Sequence, residues 1–490
     1  MQRREFIKLT TLGAASLALP RRAGAARSAR RPNIVHILID DMGWRDVGFM
    51  GNTFYETPNI DRLAAEGVVF TNAYTNGPNC APTRACILSG QYTPRHGIYT
   101  VRSPARGSAK HRKLIPTPNK TKLSPAIVTI AEALKPFGYV SASMGKWHMG
   151  DDPTHGPIAQ GFDVNIGGGR WGLPPAGYFA PYKLPNIEDA PKGEYLTDRL
   201  TEEACQFIAT NKDKPFFLYL PHYAVHTPIQ AKKEITAKYR KKPGAFRKKT
   251  PVYAAMIEST DQGVGRILAE LDRHGLTEDT VVVFGSDNGG LQMVTSMAPL
   301  RGQKGMLNEG GIRVPTAVRW PGKIQPGTKC DVPVITTDLY PTFLEMAGAK
   351  RPEGQVLDGE SIVPLLRGKD ALGDRALYWH FPAYLQGKAR GARDEHFRTR
   401  PAGAVRKGDW KLIEYFEDGY IELYNLADDI GEQTNLAASR PEKREELLGL
   451  LRKWRADINA PVPTEPNPKY DPTAPAEPTK QRARKRRKRE

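Results

Sequence analysis

Short, nearly uninterrupted apolar runs recur along the chain, and each run is followed by polar residues. The runs lie at residues 33–39, 68–74, 139–144, 216–220 and 281–284. Runs of this kind are typical of strands buried on both faces, as in a parallel sheet covered by helices. Segments with helical periodicity alternate with them, at residues 59–67, 124–136, 197–210 and 253–272. The alternation predicts an α/β fold in which helices sandwich a large, mostly parallel sheet.

The pattern changes near residue 375. Apolar runs that predict strands lie at residues 376–381, 410–415 and 420–424. The last two flank Glu417-Asp418-Gly419, which is a hairpin signal. A helix is predicted at about 441–457. We therefore predict a catalytic domain at 32–370 and a smaller C-terminal subdomain at 371–459, made of an antiparallel sheet and a helix.

Two short basic ends carry most of the formal net charge of +19. The high isoelectric point therefore does not indicate a nucleic-acid-binding domain, and we expect no specific nucleic-acid partner. Residues 460–490 are Pro-rich and then basic, which predicts an extended or disordered tail. Such a tail could bind anionic glycans, membranes or nucleic acid, weakly and with strong salt dependence.

The N-terminal residues contain a candidate targeting signal. Arg3-Arg4-Glu5-Phe6-Ile7-Lys8 resembles a twin-arginine export signal, and the apolar run 12–19 precedes a plausible cleavage site at 23–25. We predict a signal peptide at 1–25 and an exported bacterial protein, periplasmic or extracellular; the alternative is a basic leader that is never cleaved. The apolar run is too short for a transmembrane anchor, and none is expected. Four cysteines exclude a disulfide scaffold.

Acidic residues follow two of the predicted strands. Asp40 and Asp41 end the first apolar run, and Asp287 and Asn288 follow the run at 281–284. Open α/β sheets place their sites at the carboxyl ends of strands, and adjacent carboxylates repel unless a cation lies between them. Oxygen ligands of this kind suit Ca²⁺ or Mg²⁺ rather than zinc. The alternatives are a capping pair at residues 40–41 and a tight Asp-Asn-Gly turn at residues 287–289.

Cys80 stands before a proline turn and a helix-like run. Pro82 suits the first turn of a helix, so Cys80 would lie at an N-terminus whose N–H groups point towards an anion. Arg84, one turn further on, adds a permanent positive charge on the same face. The pattern suits a nucleophile that faces an anionic substrate, although Cys80 taken alone favours the structural alternative. The alternative is a buried structural cysteine at the start of a helix.

The residues Cys80-Ala81-Pro82-Thr83-Arg84, continued by Leu88-Ser89-Gly90, resemble the signature of the type I, formylglycine-dependent sulfatases. Gly145-Lys146-Trp147-His148 and His226-Thr227-Pro228 are similar to further motifs of that family. The resemblance runs from about residue 32 to about residue 440. It implies an alkaline phosphatase-like fold and an arylsulfatase-like activity. It also implies that a formylglycine-generating enzyme converts Cys80 to formylglycine (3-oxoalanine).

The resemblance also implies roles for individual residues. The metal set would be Asp40, Asp41, Asp287 and Asn288 together with the modified Cys80. Lys146 and Lys304 would bind sulfate, with Arg84 beside them. One hydroxyl of the hydrated aldehyde would attack sulfur, and the other would lose its proton to expel sulfate. In that scheme Asp287 assists the attack, His226 and Lys304 assist the leaving alcohol, and His148 assists elimination. His222 is the weaker histidine candidate and could be structural.

Charge and aromatic content indicate the substrate class. A divalent cation with Asp40, Asp41 and Asp287 would leave the site negative, and the positive charges of Arg84, Lys146 and Lys304 would reverse the sign in favour of an anion. Trp44 and Arg45 closely follow the aspartates of the metal set, and the candidate pocket residues are Arg170, Trp171, Tyr178 and Tyr182. Aromatic rings beside cations suit a sulfated carbohydrate, with aryl sulfates as possible substrates in vitro. The alternatives are a phosphate or phosphonate monoester hydrolase of the same superfamily and a catalytically silent binder of sulfated glycans.

Overall fold

In the computed structural model, residues 30–188 and 191–475 are described. The predicted signal peptide and the basic run at 480–490 lie outside these ranges. Residues from Arg31 onward form one compact unit. Across the described ranges, no helix combines the length and the apolar character needed to cross a bilayer.

The strands of the unit are, in chain order, β1 (Asn33–Ile39), β2 (Gly67–Phe70), β3 (Ala73–Tyr74), β4 (Val140–Met144), β5 (Val164–Ile166), β6 (Phe216–Pro221), β7 (Thr280–Ser286), β8 (Thr316–Arg319), β9 (Thr328–Cys330), β10 (Val334–Ile335), β11 (Ala376–Phe381), β12 (Leu385–Gln386), β13 (Phe397–Thr399), β14 (Ala402–Lys407), β15 (Trp410–Tyr415) and β16 (Ile421–Asn425). The α-helices are α1 (Pro58–Ala65), α2 (Cys80–Ser89), α3 (Thr93–His96), α4 (Ile130–Leu134), α5 (Leu196–Thr210), α6 (Lys233–Lys241), α7 (Thr250–Arg273), α8 (Glu309–Ile312), α9 (Leu339–Ala347), α10 (Val363–Leu366) and α11 (Pro441–Asp457).

The main sheet has eight strands in the order β5-β4-β6-β1-β7-β8-β2-β9. All of its neighbouring pairs are parallel except those that β8 makes with β7 and β2. The sheet is therefore mixed and mostly parallel, which confirms the predicted fold class. Its central strands β1, β6 and β7 are buried along their whole length, as their apolar sequences predict.

Side chains alternate between the two faces of β1. Val35, Ile37 and Ile39 belong to a core shared with α1, α5 and α7. Ile34 and Leu38 belong to a second core, on the opposite face, shared with α2, α4 and α9. The period of two along a strand thus places one helical layer on each side of the sheet.

The C-terminal part contains the predicted antiparallel sheet, with strand order β11-β14-β15-β16. β15 and β16 form the hairpin around Glu417-Asp418-Gly419. Helix α11 spans Pro441–Asp457 and packs on β14 and β15 through Leu447, Leu448 and Leu451.

Two sequence-based boundaries were wrong. The helix predicted at 124–136 begins only at Ile130, because Thr129 caps it: the Thr129 hydroxyl accepts from the Glu132 N–H, and the Glu132 carboxylate accepts from the Thr129 N–H. The α-helix ends at Leu134, close to Pro136. The run at 68–74 is not one strand. β2 belongs to the main sheet, whereas β3 pairs with β10.

Residues 461–467 run extended along the loop at 109–117 and are followed by a turn at 468–469. The Ile115 N–H donates to the Glu465 carbonyl at 2.9 Å, and the Asn467 N–H donates to the Lys113 carbonyl at 2.8 Å. The Asn467 side-chain amide donates to the carbonyls of Ala109 and Arg112. The extended form predicted for this Pro-rich stretch is thus held by specific hydrogen bonds on the body of the protein.

Candidate active site

The acidic residues lie at the carboxyl edge of the main sheet. β1 and β7 are parallel neighbours whose last residues, Ile39 and Ser286, are paired in register. Asp40 and Asp41 therefore leave the sheet beside Asp287 and Asn288. Asp41 adopts a left-handed φ of 63°, and its N–H donates to Asp287 Oδ1 at 3.2 Å. All four side chains are buried.

Helix α2 brings Cys80 to this edge. Cys80 is its first residue, preceded by the extended residue Asn79, and its side chain is buried. Cys80 Sγ donates to Asp40 Oδ1 at 3.4 Å, and Lys304 Nζ donates to Cys80 Sγ at 3.3 Å. The cysteine is thus surrounded by charged groups rather than by an apolar core. This surrounding disfavours the structural-cysteine alternative.

One turn further along α2, Arg84 lies fully buried beneath the site. Its Nε and Nη2 atoms donate to Asp287 Oδ2 at 3.0 and 2.7 Å, and Nη1 donates to the Lys146 carbonyl. Two donors on one carboxylate oxygen fix both side chains. Asp287 is therefore held by a permanent positive charge.

Two lysines neutralise the remaining acids. Lys146 Nζ lies 2.5 Å from Asp40 Oδ2, and Lys304 donates to Asp41 Oδ1. Lys146 follows Gly145, which has a φ of 125° and whose absent Cβ would lie 2.2 Å from the Pro221 carbonyl oxygen. Only glycine fits at this position, and the close approach of β4 to β6 carries Lys146 into the site.

The residues around Cys80 fit a divalent cation. Asp41 Oδ2 and Asn288 Oδ1 are buried and have no hydrogen-bond partner among the described residues. The Asn288 amide nitrogen donates to Asp41 Oδ1 at 2.8 Å, so its oxygen is the free atom. Ligand atoms of Asp40, Asp41, Cys80 and His226 lie within 4.8 Å of one another. Unpaired buried oxygens beside several carboxylates are donors that suit Ca²⁺ or Mg²⁺.

The pKa values of the neighbouring acids Asp40 and Asp41 are shifted in opposite directions. Burial and the adjacent Asp287 carboxylate raise the pKa of Asp40 to about 8. Burial alone would also raise the pKa of Asp41, but the Lys304 ammonium holds it below its usual range. Burial and the Asp40 carboxylate raise the pKa of the Cys80 thiol to about 12. An unmodified Cys80 is therefore a neutral thiol at pH 7 and a poor nucleophile.

The two predicted catalytic histidines face the same space. His148 has a φ of 69°, is half-buried, and has an Nδ1 atom that lacks a hydrogen-bond partner in the described ranges. His226 Nδ1 lies 2.7 Å from the Thr227 carbonyl oxygen, which leaves Nε2 3.6 Å from Asp41 Oδ2. Burial and the Lys304 charge lower the pKa of His226 to about 3. His226 is therefore neutral at pH 7 in this state.

His222 is placed apart from the catalytic groups. It is buried after β6, neither ring nitrogen has a hydrogen-bond partner among the described residues, and burial lowers its pKa to about 4. It does not line the cavity above Cys80. The structural alternative stated for His222 agrees with this position.

Only some of the candidate pocket residues lie beside the site. Arg170 stacks on Trp171, pairs with Asp151 at 3.3 Å, and lines a second cavity beside the one that contains Cys80. The prediction for Tyr178 and Tyr182 was wrong, because both are buried in the core: the Tyr178 hydroxyl donates to the Tyr223 carbonyl, and the Tyr182 hydroxyl donates to the Glu194 carbonyl. Arg45 is likewise turned towards the carbonyls of Met50 and Gly51.

The structure adds residues that the sequence analysis did not select. The cavity above Cys80 has a volume of about 270 Å³. Its added lining residues include Arg102, Arg106, Leu385, Gln386 and Arg398. The first two lie in a loop and the others in the C-terminal part of the chain. The basic composition of residues 101–122 was the one available signal.

Comparisons with known proteins agree with this geometry. The arrangement is that of an alkaline phosphatase-like hydrolase that acts on an anionic ester. The model of the family described as Sulfatase matches residues 32–349, and that of N-sulphoglucosamine sulphohydrolase, C-terminal, matches residues 302–455. The chain belongs to the sulfatase family of the alkaline phosphatase superfamily. It is a sulfuric ester hydrolase.

Individual relatives resemble most of the chain. A protein named Sulfatase from Formosa agariphila is 34% identical, with 88% of this chain and 90% of that protein covered. N-acetylgalactosamine-6-sulfatase from Homo sapiens is 33% identical, with 90% and 88% covered. The crystal structure of Ps i-CgsB is 32% identical with a TM-score of 0.72, and the match covers 89% of this chain and 95% of that one.

Proposed function

We propose that this protein hydrolyses sulfate esters of carbohydrates to an alcohol and inorganic sulfate, through a formylglycine made from Cys80. The observation that carries the proposal is the set of groups around Cys80: Asp40 Oδ1 at 3.4 Å and Lys304 Nζ at 3.3 Å from a buried sulfur at the start of a helix. Aryl sulfates are proposed as substrates in vitro.

The names of relatives support a carbohydrate substrate. Several relatives that are 32–34% identical are N-acetylgalactosamine-6-sulfatases of mammals. Ps i-CgsB has also been solved in complex with k-i-k-neocarrahexaose, at 31% identity and a TM-score of 0.71, with 93% of this chain and 97% of that one covered. The cavity above Cys80 is lined by arginines, histidines and a lysine, as binding of an anionic sugar requires.

The proposed reaction uses two groups in addition to the ordinary side chains, formylglycine and a divalent cation. The hydrated aldehyde of formylglycine supplies a nucleophile together with a release route for sulfate, which a thiol lacks. A divalent cation, Ca²⁺ or Mg²⁺, held by Asp40, Asp41, Asp287 and Asn288, supplies positive charge for the substrate oxygens. The buried, unpaired oxygens of Asp41 and Asn288 support this assignment.

The side chains of the chain itself bind and orient the ester. Lys146 and Lys304 lie next to Asp40 and Asp41, and both can turn to a sulfate oxygen. Lys304 Nζ, beside Cys80 Sγ, is placed to donate a proton or a hydrogen bond to the leaving oxygen. Because the Thr227 carbonyl can only accept, His226 Nδ1 carries the proton of the neutral ring, so Nε2 can donate to that oxygen only when the ring is protonated. Asp287, held by Arg84, assists at the nucleophile, and His148 assists the release of sulfate.

Maturation and location are part of the same proposal. A formylglycine-generating enzyme modifies Cys80, and the twin-arginine-like leader at 1–25 exports the protein to the periplasm or beyond. The neutral, buried thiol of unmodified Cys80 supports a requirement for this modification.

The test combines peptide mass spectrometry with sulfate release. Protein produced together with a formylglycine-generating enzyme should lose ~18 Da at Cys80, the mass change of this covalent processing. It should then release sulfate from N-acetylgalactosamine 6-sulfate or another sulfated saccharide, and Cys80→Ala should not. A faster reaction with matched phosphate or phosphonate monoesters would favour the hydrolase alternative. A persistent thiol, with no ester cleaved, would favour the silent glycan binder.

A further inference from the structure

The cavity above Cys80 has a cationic mouth with no acidic residue in its lining. Arg102, Arg106 and Arg398 line it together with Lys304, and none of its lining residues is an aspartate or a glutamate. The acids of the metal set lie beneath this lining, where Arg84, Lys146 and Lys304 already pair with them. Arg398 lies near enough to Asp41 to sense its charge, but none of the three arginines forms an ion pair with a described carboxylate, so their positive charge is available to an anion in the cavity.

Two of these arginines are half-buried and lack a carboxylate partner in the described part of the chain. The Nε atoms of Arg106 and Arg398 are shielded from solvent and donate to no described atom. Arg106 Nη2 reaches Thr100 Oγ1 at 3.3 Å, and Arg398 Nη1 reaches the Lys304 carbonyl at 3.3 Å, so each guanidinium has only a neutral acceptor. Burial and the neighbouring Arg398 charge lower the pKa of Arg106 to about 10.

Several other shielded arginines of the described chain form ion pairs with carboxylates: Arg84, Arg301, Arg313, Arg319, Arg375 and Arg455. Arg406 is buried without such a pair, but its Nε and Nη1 atoms donate to the Gly408 carbonyl, Asn72 and Tyr74, so neither atom lacks an acceptor. A half-buried guanidinium left without an anion loses solvation and gains no ion pair in return. Two such groups in one cavity therefore indicate an anion that comes from outside the chain.

The fold holds these arginines in place. The Asn119 side chain accepts from the N–H groups of Tyr99 and Thr100 and donates to the carbonyls of Thr100 and Arg102, which fixes the loop that carries Arg102. The Tyr384 N–H donates to the Pro104 carbonyl at 2.8 Å, which docks the same loop on the strands that carry Arg398. The mouth is thus built from both parts of the molecule.

We propose that Arg102, Arg106 and Arg398 form a second anion subsite, which binds a sulfate or carboxylate group of the substrate that is not hydrolysed. The proposal deepens the proposed function and rests on it. It assigns the enzyme to saccharides with at least two anionic groups, one at Cys80 and one at the mouth. Guanidinium groups form paired hydrogen bonds with the oxygens of sulfate and of carboxylate, so the subsite accepts either group.

Binding is the direct test, because it requires no turnover. Cys80→Ala protein is titrated by calorimetry with N-acetylgalactosamine 6-sulfate, with its 4,6-disulfate, and with a uronic acid-containing disaccharide of the 6-sulfate. We expect the doubly or multiply anionic probes to bind about 10-fold or more tightly than the monosulfate, the gain expected for a charged hydrogen-bonded pair. The better of the two doubly anionic probes identifies the second group as sulfate or as carboxylate.

Variants then locate the effect. Arg106→Gln and Arg398→Gln should each weaken binding of the doubly anionic probe about 10-fold and should reduce the difference between that probe and the monosulfate. Arg106→Lys and Arg398→Lys keep the charge without the planar fork and should fall in between. Arg266→Gln, on the exposed face of α7, is the matched control and should leave every affinity unchanged. Thermal unfolding of each variant verifies that it is folded.

The outcomes separate the two proposals. Equal affinities for all probes, no binding of any probe, or equal losses for all probes in the arginine variants would overturn the second subsite. Sulfate release by formylglycine-containing enzyme reports separately on the proposed function, so a protein that hydrolyses monosulfates but shows no preference for a second anion keeps the function and loses the subsite.

Discussion

Replacement of Arg84 by methionine tests how the charges beneath the site are balanced. The change removes both donors to Asp287 Oδ2, at 3.0 and 2.7 Å, while keeping most of the buried side-chain volume. Asp287 would keep the Asp41 N–H at 3.2 Å but would lose its ion pair among the described residues. Removal of one partner from a buried ion pair typically costs about 3–5 kcal/mol.

The cost translates into a measurable thermal shift. The entropy of unfolding is about 2.1 cal/mol/K per residue, so a chain of 490 residues loses about 1 °C per kcal/mol. We expect Arg84→Met to unfold about 3–5 °C below the wild type in EDTA, measured by circular dichroism at one scan rate. Calcium should reduce the difference, because a bound cation replaces part of the missing positive charge.

Two further variants test whether the Arg84–Asp287 ion pair causes the expected loss of stability. Arg84→Lys keeps the charge and loses the fork, so its loss should be smaller. In the double variant Arg84→Met with Asp287→Asn, no uncompensated carboxylate remains, and much of the stability in EDTA should return. A single Arg84→Met variant as stable as the wild type, or a double variant no more stable than the single one, would show that the ion pair does not balance the site.

Three other predictions follow from the described contacts. Chelation of divalent cations should lower the unfolding temperature, and added Ca²⁺ at 100 times its Kd should restore about 2.7 kcal/mol in a thermal titration; identical midpoints with EDTA and Ca²⁺ would contradict the metal assignment. Gly145→Ala, whose Cβ would meet the Pro221 carbonyl at 2.2 Å, should lose more activity and stability than Gly138→Ala, where φ is also positive but no atom lies within 4 Å; equal effects would remove the steric argument. Burial lowers the pKa of His36 to about 3, so the folded state binds fewer protons at this residue than the unfolded state between pH 6.5 and 3, and stability is lost there as pH falls, by about 1.4 kcal/mol per unit. Other buried histidines contribute to the same limb, so His36→Leu should reduce its slope by that amount, and an unchanged slope would refute the assignment.

The groups around Cys80 could be found from the sequence because their positions are set locally. An apolar run followed by acids places Asp40 and Asp287 at strand ends, and parallel register then brings the ends together without further information. Cys80 begins α2 and Lys146 lies two residues beyond the end of β4, so both follow the same logic. Lys304 and His226 lie outside regular elements and could be found only through the family resemblance. The fold class could be predicted for the same reason: alternation of strands and helices leaves few ways to cover a parallel sheet.

The mouth of the cavity could not be predicted in this way. Arg102 and Arg106 lie in a loop without periodicity, and Arg398 lies in another part of the chain, so tertiary packing alone brings them together. For Tyr178 and Tyr182 the sequence predicted a pocket position that the structure does not have. Their loop looked like a substrate wall, but their hydroxyl groups find carbonyl partners in the interior, and this cannot be read from composition.

The extended segment at 461–467 has a consequence for how the molecule is completed during synthesis. The loop at 99–117, which carries Arg102 and Arg106, is among the first parts of the body to leave the ribosome. Its hydrogen bonds with Glu465 and Asn467 cannot form until nearly the whole chain has been made. Folding units of a growing chain generally form from the N-terminus onward. The entrance to the site is therefore finished last, and a nascent chain that stops before residue 461 can build the sheet while leaving its entrance without that support.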